Sequence, residues 1–321
     1  MALKRLSQMP AFNGVAAGAT ATLDIPIGPT YDGIVLKVSD GNNANAATII
    51  SEIRVNVNGK TQRKCTVAEL DALNSLMNDP ASVDYTVTQD GSSKVITQAK
   101  ARSLILPGVS NYSLFKDAAN VTRLPIFFAE PWRPPSIAEQ FAWGTGNLNS
   151  FQLEVDIASA ASSPVLKAYA MFHNAILTTN GIAKAAPIGL VTKWYREQLS
   201  ITADGVTNWT LQNKRDTLLS MHFFDPQGGG CGISNIQVLA DSYEWRDLSQ
   251  NDNQFELARN KMVPSAGRYD LVFDVDDISG SAGGGSGLPL AGIQDLRINV
   301  TTTSGGARNI TVMVQKLGPP D

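Results

Sequence analysis

Apolar and polar residues alternate with a period of two along much of this chain. In FQLEVDI, residues 151–157, Phe151, Leu153, Val155 and Ile157 alternate with Gln152, Glu154 and Asp156. A strand points successive side chains to opposite faces, so such a run has one dry face and one wet face. The same alternation occurs at Leu23, Ile25 and Ile27; at Ile34, Leu36 and Val38; at Ile53, Val55 and Val57; at Leu271, Phe273 and Val275; at Leu296, Ile298 and Val300; and at Ile310, Val312 and Val314. These are predicted to be strands of a sandwich. A parallel sheet covered on both faces would instead read as continuous apolar runs separated by long amphipathic helices.

Helices are few and short. TVAELDALNSLM, residues 66–77, places Val67, Leu70, Leu73 and Met77 on one stripe, opens on Thr66-x-x-Glu69 and stops before Asn78-Asp79-Pro80. A hydroxyl followed three residues later by an acid satisfies the unpaired N–H groups of a first helical turn. PPSIAEQFAW, residues 134–143, carries a similar pair, Ser136 and Glu139. Two hairpins are expected, strand 151–157 with 165–172 and strand 296–300 with 310–314, each across a turn of small residues.

ISEIRVNVNG at 50–59 is echoed by ISNIQVLADS at 233–242. At an offset of 183, Ile50, Ser51, Ile53 and Val55 fall on Ile233, Ser234, Ile236 and Val238; Arg63 falls on Arg246, and Thr66-x-x-Glu69 on Ser249-x-x-Asp252. Strand, turn, arginine and helix cap recur in one order, which indicates an internal duplication. Ile50 to Val155 spans 105 residues and Ile233 to Val300 spans 67, so the first copy carries 38 extra residues, placed near 80–122. The stretch 174–194 has no clear period and contains Gly181, Pro187 and Gly189. A boundary is expected there, near 185, dividing the chain into 1–185 and 186–321.

Composition fits a sheet protein. Of 321 residues, 43% are hydrophobic and 17% charged, enough apolar content for two cores and too much for disorder. The net charge of -3 provides no global field to draw in a nucleic acid, so no direct nucleic-acid partner is expected. The two cysteines, Cys65 and Cys231, form neither a disulfide framework nor a metal-binding pair, in keeping with synthesis in a reducing cytoplasm. The opening MALKRLSQMP lacks the apolar run of a secretory signal. The Asn-x-Ser/Thr triplets at Asn111, Asn120, Asn208, Asn299 and Asn309 therefore read as strand and turn sequence rather than glycan acceptors.

Candidate chemistry is sparse, and no catalytic, cofactor-binding or metal-ligating residue is assigned. His173 and His222 sit in apolar, strand-like contexts and read as packed histidines. QGGGCG, 227–232, opens onto a strand rather than a helix, so it reads as a turn and not as a phosphate cradle or an activated Cys231. Asp274, Asp276 and Asp277 could offer hard oxygen ligands to calcium, but the distal glutamate of a full loop is missing. No Ser/His/Asp order stands out, and the chain is not read as an enzyme.

Residues 15–38, VAAGATATLDIPIGPTYDGIVLKV, resemble the start of corticovirus-type major capsid proteins, from tailless icosahedral phages with an internal membrane. The A-A-G and P-I-G-x-T-Y spacing carries the resemblance, supported by PSIAEQFAWGTGNLNSFQLEVDI at 135–157 and by YEWRDL and IQDLRINV near the end. The resemblance implies an all-β double jelly roll, two tandem eight-stranded sandwiches with a few short helices. It further implies a homotrimer with pseudo-sixfold outline that tiles a virion shell, with neighbouring capsomers and minor or vertex proteins as partners. In such a shell Leu3, Lys4, Arg5 and Leu6 would suit contact with lipid or with a neighbouring capsomer. Calcium is known in related capsids. Trp132, Trp143, Trp194, Trp209 and Trp245 are candidate interface anchors as well as candidate core residues. The alternative is a carbohydrate-binding or carbohydrate-cleaving sandwich, whose acids and aromatics lie on loops and leave no local motif.

Overall fold

The structure, a computed structural model, describes residues 5–42, 44–77, 82–89, 92–99, 115–116, 120–133, 138–174, 176–179, 182–211, 214–227, 230–260, 262–265, 267–274 and 287–321. In the first half the strands are β1 (Arg5–Gln8), β2 (Thr20–Asp24), β3 (Thr30–Ser39), β4 (Ile50–Val57), β5 (Lys60–Cys65), β6 (Ser82–Gln89), β7 (Ser92–Ala99), β8 (Phe115–Lys116), β9 (Thr122–Phe127), β10 (Trp143–Gly144), β11 (Phe151–Ile157) and β12 (Val165–His173). A hairpin, β13 (Ile176–Thr179) and β14 (Ile182–Ala185), follows. The second half contains β15 (Val191–Ile201), β16 (Gly205–Trp209), β17 (Thr217–Phe224), β18 (Ile233–Ala240), β19 (Tyr243–Ser249), β20 (Arg268–Val272), β21 (Leu288–Pro289), β22 (Leu296–Thr302) and β23 (Arg308–Gly318). Among the described residues three α-helices accompany them: α1 (Ala46–Ile49), α2 (Val67–Leu76) and α3 (Gln250–Arg259).

The two halves are wired identically. One sheet of the first half runs β2-β11-β4-β5, and one sheet of the second runs β16-β22-β18-β19. Facing them, β1-β12-β3-β9, with β10 on β3, matches β15-β23-β17-β20, with β21 on β17; among the described strands β8, which pairs with β9, is an addition of the first half. Register repeats as well as order: Val55 pairs with Arg63 and Val238 with Arg246; Val155 pairs with Ile53 and Val300 with Ile236. Even the bulge is repeated, between Met171 and Phe172 opposite β3 and between Leu218 and Ser220 opposite β23. Register of this kind is set by which face is dry, because a slip of one residue would turn each apolar set outward. The offset between copies is 183 at β4, β5 and α2 and 145 at β9 and β11, so the extra 38 residues fall between α2 and β9, the span that contains the β6–β7 hairpin.

Each sandwich encloses its own core. The first is built on Leu23, Leu36, Ile53, Val55, Leu124 and Leu153, the second on Trp209, Phe223, Ile236, Val238, Ile298 and Val312. Alternating positions of the sequence supply both. At β20 the alternation fails, since Arg268–Val272 is buried at every position: Tyr269 and Leu271 face the second core while Val272 packs with Leu76, Leu257 and Met262 beneath the helices. Ile27, expected inside a strand, lies beyond β2 and is exposed.

The expected terminal hairpins are not formed. β11 pairs with β2 and β4, whereas β12 pairs with β1 and β3; likewise β22 pairs with β16 and β18, and β23 with β15 and β17. In each copy the short connection crosses from one sheet to the facing one. Alternation specifies that both strands are half-buried, but two strands on opposite walls of a sandwich carry the same pattern as two neighbours in one wall.

The cap at Thr66 forms as expected. Its hydroxyl accepts from Glu69 N, and the Glu69 carboxylate accepts from Thr66 N at 2.8 Å; Ser249 accepts from Asp252 N in the same way at the head of α3. Ser136 lies outside the described residues, and the segment after it is a short 3-10 turn, Glu139–Phe141. The glycines that follow have a packing reason: a Cβ on Gly144 would fall 2.3 Å from the Pro187 carbonyl, and one on Gly146 would fall 2.5 Å from that of Ala185. The chain between the halves lies directly on this Gly-Thr-Gly segment.

Candidate assembly interface

The halves share a sheet. β5, the last strand of β2-β11-β4-β5, meets β15 in parallel at Arg63 and Trp194, making one continuous sheet through both jelly rolls. Arg63 is buried at this seam. Its Nε donates to the Thr192 carbonyl at 2.8 Å, Nη1 to the Phe127 carbonyl at 2.5 Å, and Nη2 to the Thr192 hydroxyl. The guanidinium lies over Trp194 (4.4 Å to the ring centroid), Trp143 (5.0 Å) and Phe128 (5.3 Å). Burial pulls its pKa down to about 9, which still leaves it charged at neutral pH. Three acceptors and three aromatic faces make a charged group tenable there.

Further contacts tie the seam. Arg196 on β15 reaches Glu69 of α2 at 3.0 Å, so the same carboxylate both caps a helix and pairs across the seam. Lys193 pairs with Asp216 at 2.9 Å and with Asp321 at 2.7 Å, while Asp321 N donates to Gln62. Arg133 pairs with Glu130 and, across the halves, with Asp274. Val263 N donates to the Leu76 carbonyl beside the cluster of Leu76, Leu257, Met262 and Val272.

The tryptophans divide accordingly. Trp143 and Trp209 are core residues, Trp194 is buried over Arg63, and Trp132 packs edge-on against Phe127. Trp245, on β19, is 46% exposed. Other exposed apolar residues are Phe255 on α3 at 71% and Leu6 on β1 at 66%. A recess of about 390 Å³ beside β1 is lined by Leu6, Val35, Phe127, Ala129, Pro131 and Met171 among others, which is apolar rather than sugar-like.

Sequence reasoning missed one constellation. Ser220 Oγ lies 2.8 Å from His222 Nε2, and His222 Nδ1 lies 2.7 Å from Asp270 Oδ1. The order is that of a hydrolytic triad, but Ser220 is 1% exposed, its Oγ is also bonded to Gln315 at 2.9 Å, and Asp270 is held by Arg268 as well. A nucleophile needs a substrate within reach; this one is sealed under α3, whose Asn253 bonds the Asp270 carbonyl. It is a polar layer between sheet and helix. A signal was present: His222 and Asp270 lie on β17 and β20, which are adjacent once the pairing is known.

The remaining candidates are placed as follows. His173 is half-buried beside Asp32 at 3.2 Å. Burial pushes the Cys231 thiol up to about 11, so it is not an activated thiolate. Asp274 is buried against Arg133, and Asp276 and Asp277 lie outside the described residues. Asn208, Asn299 and Asn309 lie in strands, with Asn208 donating to Asn299 at 3.0 Å; Asn111 lies outside the described residues.

Comparison with known proteins agrees with this architecture. The family model described as viral coat protein P2 N-terminal domain matches residues 6–87 and 108–174, and that of the viral coat protein P2 C-terminal domain matches 191–320. The major capsid protein P2 from Bacteriophage PM2 superposes with a TM-score of 0.72 at 19% identity, covering 99% of this chain and 98% of that one. PBCV-1 VP54 superposes at 0.61 with 10% identity, covering 98% and 93%, and the STIV MCP at 0.60 with 10% identity, covering 98% and 96%. No curated protein matches by sequence. These matches give no support to the carbohydrate reading. Two family models spanning most of the chain, in the order of its two jelly rolls, establish that it belongs to the viral coat protein P2 family, as a structural protein of the virion capsid.

Proposed function

We propose that three copies of this chain associate into one capsomer, whose six jelly rolls give a pseudo-sixfold outline, and that these capsomers tile an icosahedral shell around an internal membrane. The observation that carries the reading is the internal repeat: each chain holds two identically wired sandwiches already joined through a built interface. A head-to-tail contact between such units closes into a ring when its rotation allows. Function is then interfacial free energy, with no bond made or broken. Interfaces of permanent assemblies typically bury more than about 2,000 Å².

In this reading the halves divide near 185, at the connector that rests on Gly144 and Gly146. Neighbouring capsomers and minor or vertex proteins are the other partners, and the apolar-basic start, Leu3 and Lys4 in particular, is the segment for the lipid side. Native mass measurement and negative-stain imaging of the purified protein test the proposal. A particle of three chains with a hexagonal face is expected. A protein that stays monomeric at micromolar concentration and forms no shell with its viral partners would overturn it.

A further inference from the structure

The repeat makes the seam between β5 and β15 informative about surfaces elsewhere. β1 is the counterpart of β15, since both are the terminal strand beside β12 or β23. Register sets the equivalence: Ser7 pairs with Ala170 as Tyr195 pairs with Val314, so Leu6 stands where Trp194 stands and Gln8 where Arg196 stands. By the same logic β19 is the counterpart of β5, with Trp245, Arg246 and Asp252 in the places of Gln62, Arg63 and Glu69.

Burial differs between the counterparts in a consistent direction. At the seam Trp194 is 7% exposed and Gln62 0% exposed, whereas Leu6 is 66% exposed and Trp245 46%. All four residues of β1 are exposed, and β19 has no fully buried position. These positions are dry where the halves meet, whereas at the two outer edges the apolar side chains of Leu6 and Trp245 stand in solvent.

Arg246 is also prepared in the manner of Arg63. Its Nη1 donates to the Val272 carbonyl at 2.7 Å, and its guanidinium lies 5.6 Å from the centroid of Phe273. Arg63 makes the equivalent bond to Phe127 and lies over Phe128. At the seam the contact is completed by a strand carrying Trp194 and Thr192.

We propose that the seam inside the chain is repeated between chains: the β19 edge and α3 of one copy receive β1 of the next. Leu6 then lies over Arg246 as Trp194 lies over Arg63, and the Gln8 amide donates to Asp252 where Arg196 pairs with Glu69. The occupant is a second copy because the matching edge, with the matching register, is carried by this chain itself. Each chain offers one edge of each kind, so the contact is head-to-tail, and three chains put six jelly rolls in a ring. The inference rests on the three-chain capsomer and adds which edges meet.

The test uses full-length protein with Cys65→Ala and Cys231→Ala, into which Leu6→Cys and Arg246→Cys are introduced together. Oxidation should give reducible covalent dimers and trimers, with the disulfide mapped by peptide mass to positions 6 and 246 of different chains. Leu6→Lys, which sets a second positive charge against the retained Arg246, should weaken association at least tenfold while the circular-dichroism spectrum of the fold is retained. A native trimer in which thiols 6 and 246 stay unlinked and Leu6→Lys associates like the parent sinks the edge assignment and leaves the capsomer standing. A parent protein that forms no trimer removes both.

Discussion

Arg63 shows how one residue can be decisive and still look ordinary in the sequence. It donates to two carbonyls and a hydroxyl and stacks on Trp194 at the only parallel join among the described strands. Arg63→Met leaves buried acceptors without donors and should lower stability by on the order of 3 kcal/mol. Arg63→Lys keeps the charge but lacks the planar fork, and should lose about 2 kcal/mol. Urea midpoints at unchanged m-value would measure both. The arginine stood out in the repeat, at Arg63 and Arg246, but its partners lie 64 and 129 positions away and no local pattern points to them.

His222 makes a pH prediction at the same scale. Burial lowers its pKa below the usual 6.5, against the opposing pull of Asp270, with Arg268 adding to the depression. The unfolded chain then binds a proton near pH 6.5 that the folded chain does not, so the histidine's effect is to make stability fall as pH drops below about 6.5 toward the lower folded pKa, by up to about 1.4 kcal/mol per pH unit. His222→Gln should be less stable at pH 7 yet lose that slope. Chemical denaturation at pH 7.5, 6.5 and 5.5 would show it, and an unchanged slope would contradict it.

At the scale of elements, α2 and α3 are paired by their caps. Thr66→Ala and Ser249→Ala should each lose about 1 kcal/mol. Thr66→Ala should lose more, because Glu69 is held there for Arg196 as well as for the cap; denaturant titration of the two variants compares them directly. Both caps were legible in sequence, since a cap is local: a hydroxyl and an acid three residues apart. Strand existence was equally legible wherever alternation was clean, as in β11 and β22. Strand partners were not. β11 and β12 are adjacent in sequence and face each other across the core, and the short loop between them does not reveal whether the chain turns within a sheet or crosses to the next.

For the whole molecule, the shared sheet and the Arg133–Asp274 and Arg196–Glu69 pairs couple the two jelly rolls. Calorimetry of the isolated chain should give one unfolding transition; two resolved transitions would show that each core melts without regard to the seam.

The sequence by itself determined the class of fold, the duplication and the caps at Thr66 and Ser249, because each is written in spacings of a few residues or in an offset between two copies. It also carried the resemblance that the family match bears out. The tertiary structure alone decided which strands pair, that β5 and β15 fuse two sheets into one, that Trp143, Trp194 and Trp209 are interior, and that Ser220, His222 and Asp270 meet. The reason is physical: a local pattern fixes how deeply a residue is buried, while contacts between distant segments depend on how whole sheets fold back on one another.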